Sequence, residues 1–259
     1  MSKIPIGVQL YSVREECAKN LPATLEAIAK MGYSGVEFAG YYNYSAAELR
    51  KMLDAVGLVC CGTHIGLDTL LGDALPATVE FNQILGNKFL IVPWIDEARR
   101  ANKAACTATA AVFNEIAEKL ESYGMRTGYH NHHAEFTPVD GETPWDSLFS
   151  ACKPSVVMQL DTGNGLAGGA DLVGILKKFP GRAGTMHLKP YSVKAAAQGG
   201  MEAGFRPIIG EDDVPWQEIF RLVEEAGGTE WYIVEYESDA YPPLVAVEKC
   251  LQVLRGWGK

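Results

Sequence analysis

The chain has 259 residues, of which 47% are hydrophobic and 21% charged, and its formal net charge is −9. This composition is ordinary for a globular protein, and a chain of this length can bury a full core without disulfides. The acidic balance argues against a nucleic-acid partner, because neutralising phosphates requires clustered Lys and Arg.

Cysteine usage and hydropathy bear on location. The six cysteines form no CxxC pair, which favours buried free thiols in a reducing compartment. The chain begins directly with a strand-like pattern rather than a signal peptide, and no segment approaches the roughly 18 apolar residues of a membrane span. These features predict a cytoplasmic protein with no membrane partner.

Short apolar runs alternate with longer amphipathic segments along the whole chain. Ser45 and Glu48 form a capping box before one of the amphipathic segments, and glycines follow the ends of five of them, where a left-handed cap is needed. Strands are predicted to begin near residues 6, 35, 58, 89, 126, 156, 183 and 231. Helices are predicted over residues 21–30, 46–56, 76–85, 102–123, 144–151, 171–179, 215–226 and 244–254.

Eight strand–helix units imply right-handed crossovers and a parallel sheet. At about 32 residues per unit, they predict a single (β/α)₈ TIM barrel over residues 1–259. The alternative, a doubly wound sheet, predicts a glycine-rich turn after the first strand, but residues 11–14 contain no glycine. The GxGxxG-like stretch at 163–168 follows the sixth strand instead and is predicted to be a mobile loop. Residues 190–213 are predicted to be irregular, either a functional lid or disordered.

Polar side chains lie at or just beyond the predicted carboxyl ends of the strands, where the active site of such a barrel is found. All five histidines lie at the ends of three of these runs. The strand-end residues that we select as candidates are Gln9, Tyr11, Glu37, His64, Trp94, His130, His132, Glu135, Asp161, Asn164, His187, Lys189 and Glu235.

Three of these residues come from successive strands and can converge on one ion. Asp161, His187 and Glu235 offer two carboxylates and an imidazole, and strand five would supply a fourth ligand. A mixed oxygen and nitrogen set without thiolate suits one divalent metal, which could be Mn²⁺, Co²⁺, Mg²⁺ or Zn²⁺.

Six short motifs in chain order resemble those of the xylose isomerase-like TIM barrels, the sugar phosphate isomerase/epimerase family. They are GVQLYSVR at 7–14, GVEFAG at 35–40, YHNH at 129–132, LDTGN at 160–164, HLK at 187–189 and IVE at 233–235. The YHNH motif is similar to that of a branch that includes proteins related to inosose dehydratase.

The resemblance implies one divalent metal held by a carboxylate on strand five, Asp161, His187 and Glu235. The chain departs from the family at strand five, where His130 stands in the place of the usual Glu. We predict that His130 is the ligand and that Glu135 points into the substrate pocket, with Glu135 as the alternative ligand.

Such a site supports proton abstraction next to a carbonyl. Either Glu235 or Glu135 would be the base, His64 and His132 would donate protons, and Lys189 would bind a substrate oxygen. The remaining polar and aromatic candidates are predicted to bind a small sugar or cyclitol; they are Gln9, Tyr11, Glu37, Trp94 and Asn164.

We predict an isomerase or epimerase. A dehydratase, or a lyase acting on a 3-keto glycoside, is the alternative, because the same residues fit the loss of a hydroxyl or a glycosidic oxygen. A non-catalytic sugar-binding barrel is a more remote reading. The metal-dependent apurinic endonucleases of the same superfamily are disfavoured by the net charge of −9 and by only five histidines. The oligomeric state is left open, a homo-oligomer included.

Overall fold

The computed structural model describes residues 3–259, which form a closed barrel of eight parallel strands. Each strand pairs with the next along the chain, and β1 closes the barrel against β8. This confirms the predicted (β/α)₈ architecture. The strands are β1 Ile6–Gln9, β2 Gly35–Ala39, β3 Val59–His64, β4 Phe89–Val92, β5 Arg126–His130, β6 Val157–Asp161, β7 Thr185–Leu188 and β8 Trp231–Val234.

Eleven helices occur among the described residues and surround or cap the barrel. They are α1 Arg14–Met31, α2 Ala46–Val56, α3 Leu75–Leu85, α4 Lys103–Glu121, α5 Pro144–Ala151, α6 Thr162–Ala167, α7 Leu172–Lys178, α8 Val193–Gly199, α9 Met201–Gly204, α10 Trp216–Ala226 and α11 Pro243–Gly256.

The local signals account for most helix ends. The capping box of α2 is present, since the Glu48 amide donates to Ser45 Oγ and the Ser45 amide donates to Glu48 Oε2. Gly57 ends α2 in the left-handed region at φ 74°. Helix α1 begins earlier than predicted, at Arg14, and is interrupted at Asn20, whose φ of −160° is extended. The predicted helix is the part of α1 that follows this interruption.

The prediction of a mobile loop at 163–168 is wrong, because most of this stretch belongs to the largely buried helix α6. Asp161 caps α6 by accepting a 2.6 Å hydrogen bond from the Asn164 amide. A Cβ on Gly163 would lie 2.9 Å from the Lys189 carbonyl oxygen. The glycine therefore allows close packing at this position.

Residues 190–213 are also more ordered than predicted, since they contain α8 and α9. Ser192 caps α8 through the Ala195 amide, and its hydroxyl donates to Asp213 at 2.9 Å. Gly204 lets α9 approach the Tyr191 ring, where a Cβ would lie 2.4 Å from a ring carbon. The sequence has no regular hydrophobic periodicity in this segment, and its helices are stabilised by capping and close packing instead.

The hydrophobic core lies between the barrel and its helices, whereas the barrel interior beneath the carboxyl ends is polar. Gln9, Glu37, Gln159 and Thr185 are all fully buried there. All six cysteines are buried and free, as predicted. Across residues 3–259, no helix has the length and apolar character that crossing a membrane requires.

Candidate functional site

Four side chains with metal-ligand chemistry converge at the carboxyl end of the barrel, and we call them the donor set. His130 and Asp161 end β5 and β6, His187 lies in β7, and Glu235 directly follows β8. Each offers one ligand atom, these atoms lie within 4.8 Å of one another, and all four residues are buried. The convergence follows from the topology, because β5 to β8 are neighbours in the barrel.

Asp161 is held from two sides. Asn131 links the strand ends: its Nδ2 donates to the Asp161 carbonyl at 3.0 Å, and its Oδ1 accepts from the Asp161 amide at 2.8 Å. Asp161 Oδ1 caps α6. Asp161 Oδ2, although buried, accepts no hydrogen bond from residues 3–259. It lies 3.8 Å from His187 Nδ1 and 4.0 Å from His130 Nε2.

The imidazole of His187 lies between two carboxylates. Its Nδ1 is 2.5 Å from Glu235 Oε2, and its Nε2 is 2.6 Å from Glu37 Oε2. Burial works to lower the pKa of His187, but Glu37 and Glu235 outweigh it and raise the pKa to about 10. Nδ1 therefore faces the donor set, while Glu37 holds the opposite edge of the ring.

A second layer of buried polar groups lies beneath the donor set, and we call Gln9, Glu37, Gln159 and Thr185 the interior network. Glu37 accepts from Gln9 Nε2 at 2.7 Å and from Gln159 Nε2 at 2.9 Å. Gly62 on β3 makes room for this carboxylate, since a Cβ there would lie 2.3 Å from Glu37 Oε1. Burial opposes the charge of Glu37, but His64 and His187 outweigh it and lower its pKa.

A pocket of about 500 Å³ opens above the donor set. Its wall contains seven of the predicted residues. The lining residues are Tyr11, Ala39, His64, Pro93, His130, His132, Asn164, Lys189, Glu202, Phe205, Glu235 and Glu237.

Six predicted site residues do not line this wall, and two of them, Asp161 and His187, lie beneath it in the donor set. Glu37 lies in the middle of β2 and not at its end, and it pairs in register with Gln9, so both side chains belong to the interior network. Glu135 is buried behind the wall, where it accepts from the Tyr129 hydroxyl at 2.9 Å and from the His132 amide at 2.8 Å. Trp94 is 60% exposed outside the pocket.

Five residues of the wall had not been selected as site residues: Ala39, Pro93, Glu202, Phe205 and Glu237. Lys189 Nζ donates to Glu237 Oε1 at 2.5 Å and lies 5.2 Å from the Phe205 ring centroid. Glu237 follows Glu235 by two residues, a spacing that favours one side of an extended chain and could have indicated it. Glu202 and Phe205 come from α9 and the residue after it, which carry no strand-end signal.

Charge in the pocket is unevenly distributed. Burial opposes the charge of Lys189, but Glu235, Asp161 and Glu237 outweigh it and raise the pKa of Lys189. Burial, and then the neighbouring Glu235, raise the pKa of Glu237 to about 7. Burial lowers the pKa of His64 and of His132, so both imidazoles are neutral near neutral pH and can accept a proton.

A closed parallel barrel with these side chains at the ends of consecutive strands defines a (β/α)₈ protein with its functional site at the carboxyl end. A sequence model described as "Xylose isomerase-like TIM barrel" matches residues 25–257. The chain belongs to this family.

Curated and solved relatives agree with this assignment. An inosose dehydratase from Clostridium botulinum is 24% identical over 246 residues, covering 83% of this chain and 82% of the relative. A sugar phosphate isomerase/epimerase structure from Parabacteroides distasonis superposes with a TM-score of 0.80 at 24% identity, covering 98% and 94% of the two chains. The structure of an IOLI protein with a bound zinc atom has a TM-score of 0.74 at 14% identity, covering 97% of each chain.

Proposed function

We propose that this protein is a divalent-metal-dependent enzyme that removes a proton from the carbon next to the carbonyl of a sugar or cyclitol ketone. It acts as an isomerase or epimerase when the proton returns to carbon. The observation that carries the proposal is the buried Asp161 Oδ2, which accepts no hydrogen bond from residues 3–259 and lies close to His130 Nε2 and His187 Nδ1.

The donor set fits a divalent cation. Burial, and then Glu235 among its neighbours, raise the pKa of Asp161 to about 7, so the protein by itself compensates this carboxylate poorly. Two imidazoles and two carboxylates suit Mn²⁺, Co²⁺ or Zn²⁺, and Mg²⁺ less well. When bound, such an ion polarises a carbonyl and stabilises the negative charge that develops on its oxygen. The zinc in the similar IOLI protein supports this part of the proposal.

Proton carriers reach the pocket from both sides of the barrel. His64 and His132 come from β3 and the end of β5, whereas Glu235 and Glu237 follow β8. Lys189 and His187 outweigh burial and hold the pKa of Glu235 well below its ordinary value, so this carboxylate is ionised and available to accept a proton. We assign it as the base, which afterwards loses the proton to solvent, while His132 or His64, protonated from solvent, delivers a proton to the carbon from the other side. This two-sided arrangement supports isomerisation or epimerisation.

A dehydratase is the second candidate. The curated relative named inosose dehydratase matches most of this chain, and His130 replaces the strand-five carboxylate that the family's epimerases are expected to use. The same proton abstraction would then be followed by loss of the hydroxyl on the next carbon as water, with His64 or His132, protonated from solvent, supplying the proton to the departing oxygen.

The pocket charges favour an unphosphorylated substrate. Among the described residues, Lys189 is the only Lys or Arg on the wall, and Glu237 and Glu235 already lie 2.5 and 3.6 Å from its Nζ. Glu202 adds a third carboxylate. A phosphate dianion would meet repulsion here, whereas neutral hydroxyls can hydrogen-bond to the same groups.

The test is a panel of keto-sugars and keto-inositols, with their phosphates, incubated with Mn²⁺ in D₂O and followed by NMR. Deuterium at the carbon next to the carbonyl, with a new isomer, supports the first candidate. Deuterium exchange with water loss selects the dehydratase. Binding without exchange for every member, or protein that holds no divalent ion, overturns the proposal and leaves a sugar-binding barrel.

A further inference from the structure

One amide in the barrel interior contacts two histidines at once. Gln159 Oε1 lies 2.7 Å from His64 Nε2 and 3.1 Å from His130 Nδ1. On the other side of the amide, Gln159 Nε2 donates to Glu37 Oε1 and Thr185 Oγ1, each at 2.9 Å. Gln159 is fully buried in β6, two residues before Asp161.

The orientation of this amide follows from the chemistry of its neighbours. The ionised carboxylate of Glu37 accepts hydrogen bonds and has none to give, so the amide NH₂ must face it. The carbonyl oxygen then faces the two imidazoles. An oxygen can only accept, so His130 must carry hydrogen on Nδ1 and His64 must carry hydrogen on Nε2. The Glu37 carboxylate, whose Oε2 lies 3.1 Å from His64 Nε2, requires the same tautomer of His64.

These tautomers determine which nitrogens remain free. With hydrogen on Nδ1, the lone pair of His130 is on Nε2, the atom that lies 4.0 Å from Asp161 Oδ2. Glu37 acts likewise on His187, since it accepts from Nε2 and leaves Nδ1 facing Asp161 and Glu235. Hydrogen bonds of this kind fix the tautomer and ring orientation of ligating histidines in metalloproteins.

The tautomers also favour one of two possible metal positions, the donor set, over a second position between three histidines. His64, His130 and His187 offer a second group of ligand atoms that lie within 4.8 Å of one another. Gln159 engages His64 Nε2 and His130 Nδ1, and Glu37 engages His187 Nε2. His130 Nε2 keeps its lone pair on the side of Asp161, whereas His187 Nδ1 is hydrogen-bonded to Glu235 and would exchange that contact for a bound ion.

We infer that Gln159 is a positioning residue: it fixes the tautomer of His130, and together with Glu37 the opposite tautomer of His64, and so directs a cation to the donor set rather than to the three histidines. The inference rests on the proposed metal site for its consequence. The tautomers themselves are properties of the metal-free protein and can be measured without any activity.

The experiment uses metal-free protein labelled with ¹⁵N-histidine, whose five histidines give a simple long-range ¹⁵N–¹H spectrum near neutral pH. Signals are assigned with His64→Gln and His130→Gln variants. We expect hydrogen on Nδ1 of His130 and on Nε2 of His64. The opposite tautomer at His130 in the wild-type protein overturns the inference.

Two matched variants extend the test. Gln159→Met keeps the volume and removes both acceptor and donor, and it should let the His130 tautomers mix and weaken Mn²⁺ binding by about 10- to 100-fold. Gln9→Met is the control, because Gln9 also donates to Glu37 but has no hydrogen bond to a histidine among residues 3–259. It should leave both tautomers in place and weaken Mn²⁺ binding by less than about tenfold.

The outcomes separate this inference from the proposed function. An unchanged His130 tautomer in folded Gln159→Met, or an equal change in Gln9→Met, refutes the role of Gln159 even if the wild-type protein binds metal and exchanges deuterium. Expected tautomers in a protein that shows no exchange on any ketone would leave the positioning role standing and refute the enzyme.

Discussion

The carboxyl end of the barrel contains two polar layers that differ in how their charges are satisfied. In the interior network, the Glu37 carboxylate accepts from Gln9, Gln159 and His187. In the donor set above it, Asp161 Oδ2 is buried without a hydrogen bond from the described residues, and Glu235 shares a short contact with His187. Buried polar groups normally have partners, so the lower layer is scaffold and the upper layer is where a ligand would contribute free energy.

The largest effect is expected from Asp161→Asn. The amide keeps the cap on α6 but removes the negative charge, so stoichiometric Mn²⁺ binding and deuterium exchange should both be lost. The free energy of unfolding of the metal-free protein should rise at pH 8, because the variant no longer buries a poorly compensated carboxylate.

The pH dependence of this gain has a definite sign. The pKa of Asp161 is raised in the folded protein from 3.8 to about 7, so its carboxylate costs stability progressively as the pH rises through that window. Denaturant melts at pH 4 and pH 8 should show the difference from wild type only at the higher pH. A variant that is destabilised at both pH values would show that Asp161 is already satisfied.

Glu235→Gln tests the proton carrier in the donor set. Loss of a general base should slow deuterium exchange by about 10²- to 10⁴-fold, while His130, Asp161 and His187 remain to hold the metal. The matched variant is Glu237→Gln, two residues further along the wall. Exchange that persists in Glu235→Gln and disappears in Glu237→Gln would assign the base to Glu237.

Gly62→Ala disturbs the interior network and leaves all four residues of the donor set unchanged. The added Cβ would lie 2.3 Å from Glu37 Oε1. The Glu37 carboxylate cannot move away easily, because three side chains donate hydrogen bonds to it. We expect a loss of about 1–3 kcal/mol in the free energy of unfolding, as for overpacked cores. Gly57→Ala is not a usable control because φ there is 74°. Gly256→Ala, where an added Cβ meets nothing within 4 Å, should be nearly neutral.

The smallest effect is expected at the rim. Tyr11 lines the pocket and Trp94 lies outside it with 60% of its surface exposed. Tyr11→Ala should therefore raise KM more than Trp94→Ala, and Trp94→Ala should change stability by no more than about 0.5 kcal/mol. A larger rise in KM for Trp94→Ala would show that this ring covers the substrate after all.

Strand periodicity and caps were enough to predict the barrel, because each strand–helix unit is marked locally. The convergence of His130, Asp161, His187 and Glu235 could be predicted for the same reason: strand ends are countable, and parallel order brings them to one edge. The depth of each side chain could not be predicted in this way. Glu37 lies two residues before the end of β2, and this difference moves it from the pocket wall to the layer beneath.

The role of Gln159 could not be seen in the sequence, because it depends on contacts with residues from other strands. For a glutamine in the middle of an apolar strand, the sequence does not predict which way the amide faces. Glu202 and Phe205 were missed because α8 and α9 are stabilised by capping and close packing and not by a hydrophobic period. Glu135 was misplaced because a strand ending at His130 does not determine where a turn five residues later points.

The structure between β7 and α10 has a consequence for how a substrate is received. Asp213 accepts from the Ser192 hydroxyl and the Lys194 amide, and Asp212 accepts from the Gly210 and Val214 amides and from the Trp216 indole. The segment that carries Glu202 and Phe205 is therefore anchored at its base before anything binds. A ligand entering this pocket need not spend conformational entropy on ordering that wall. Selection among ligands would then depend on fit to a preformed shape, so that small changes in the size or substitution of a ligand would change its affinity.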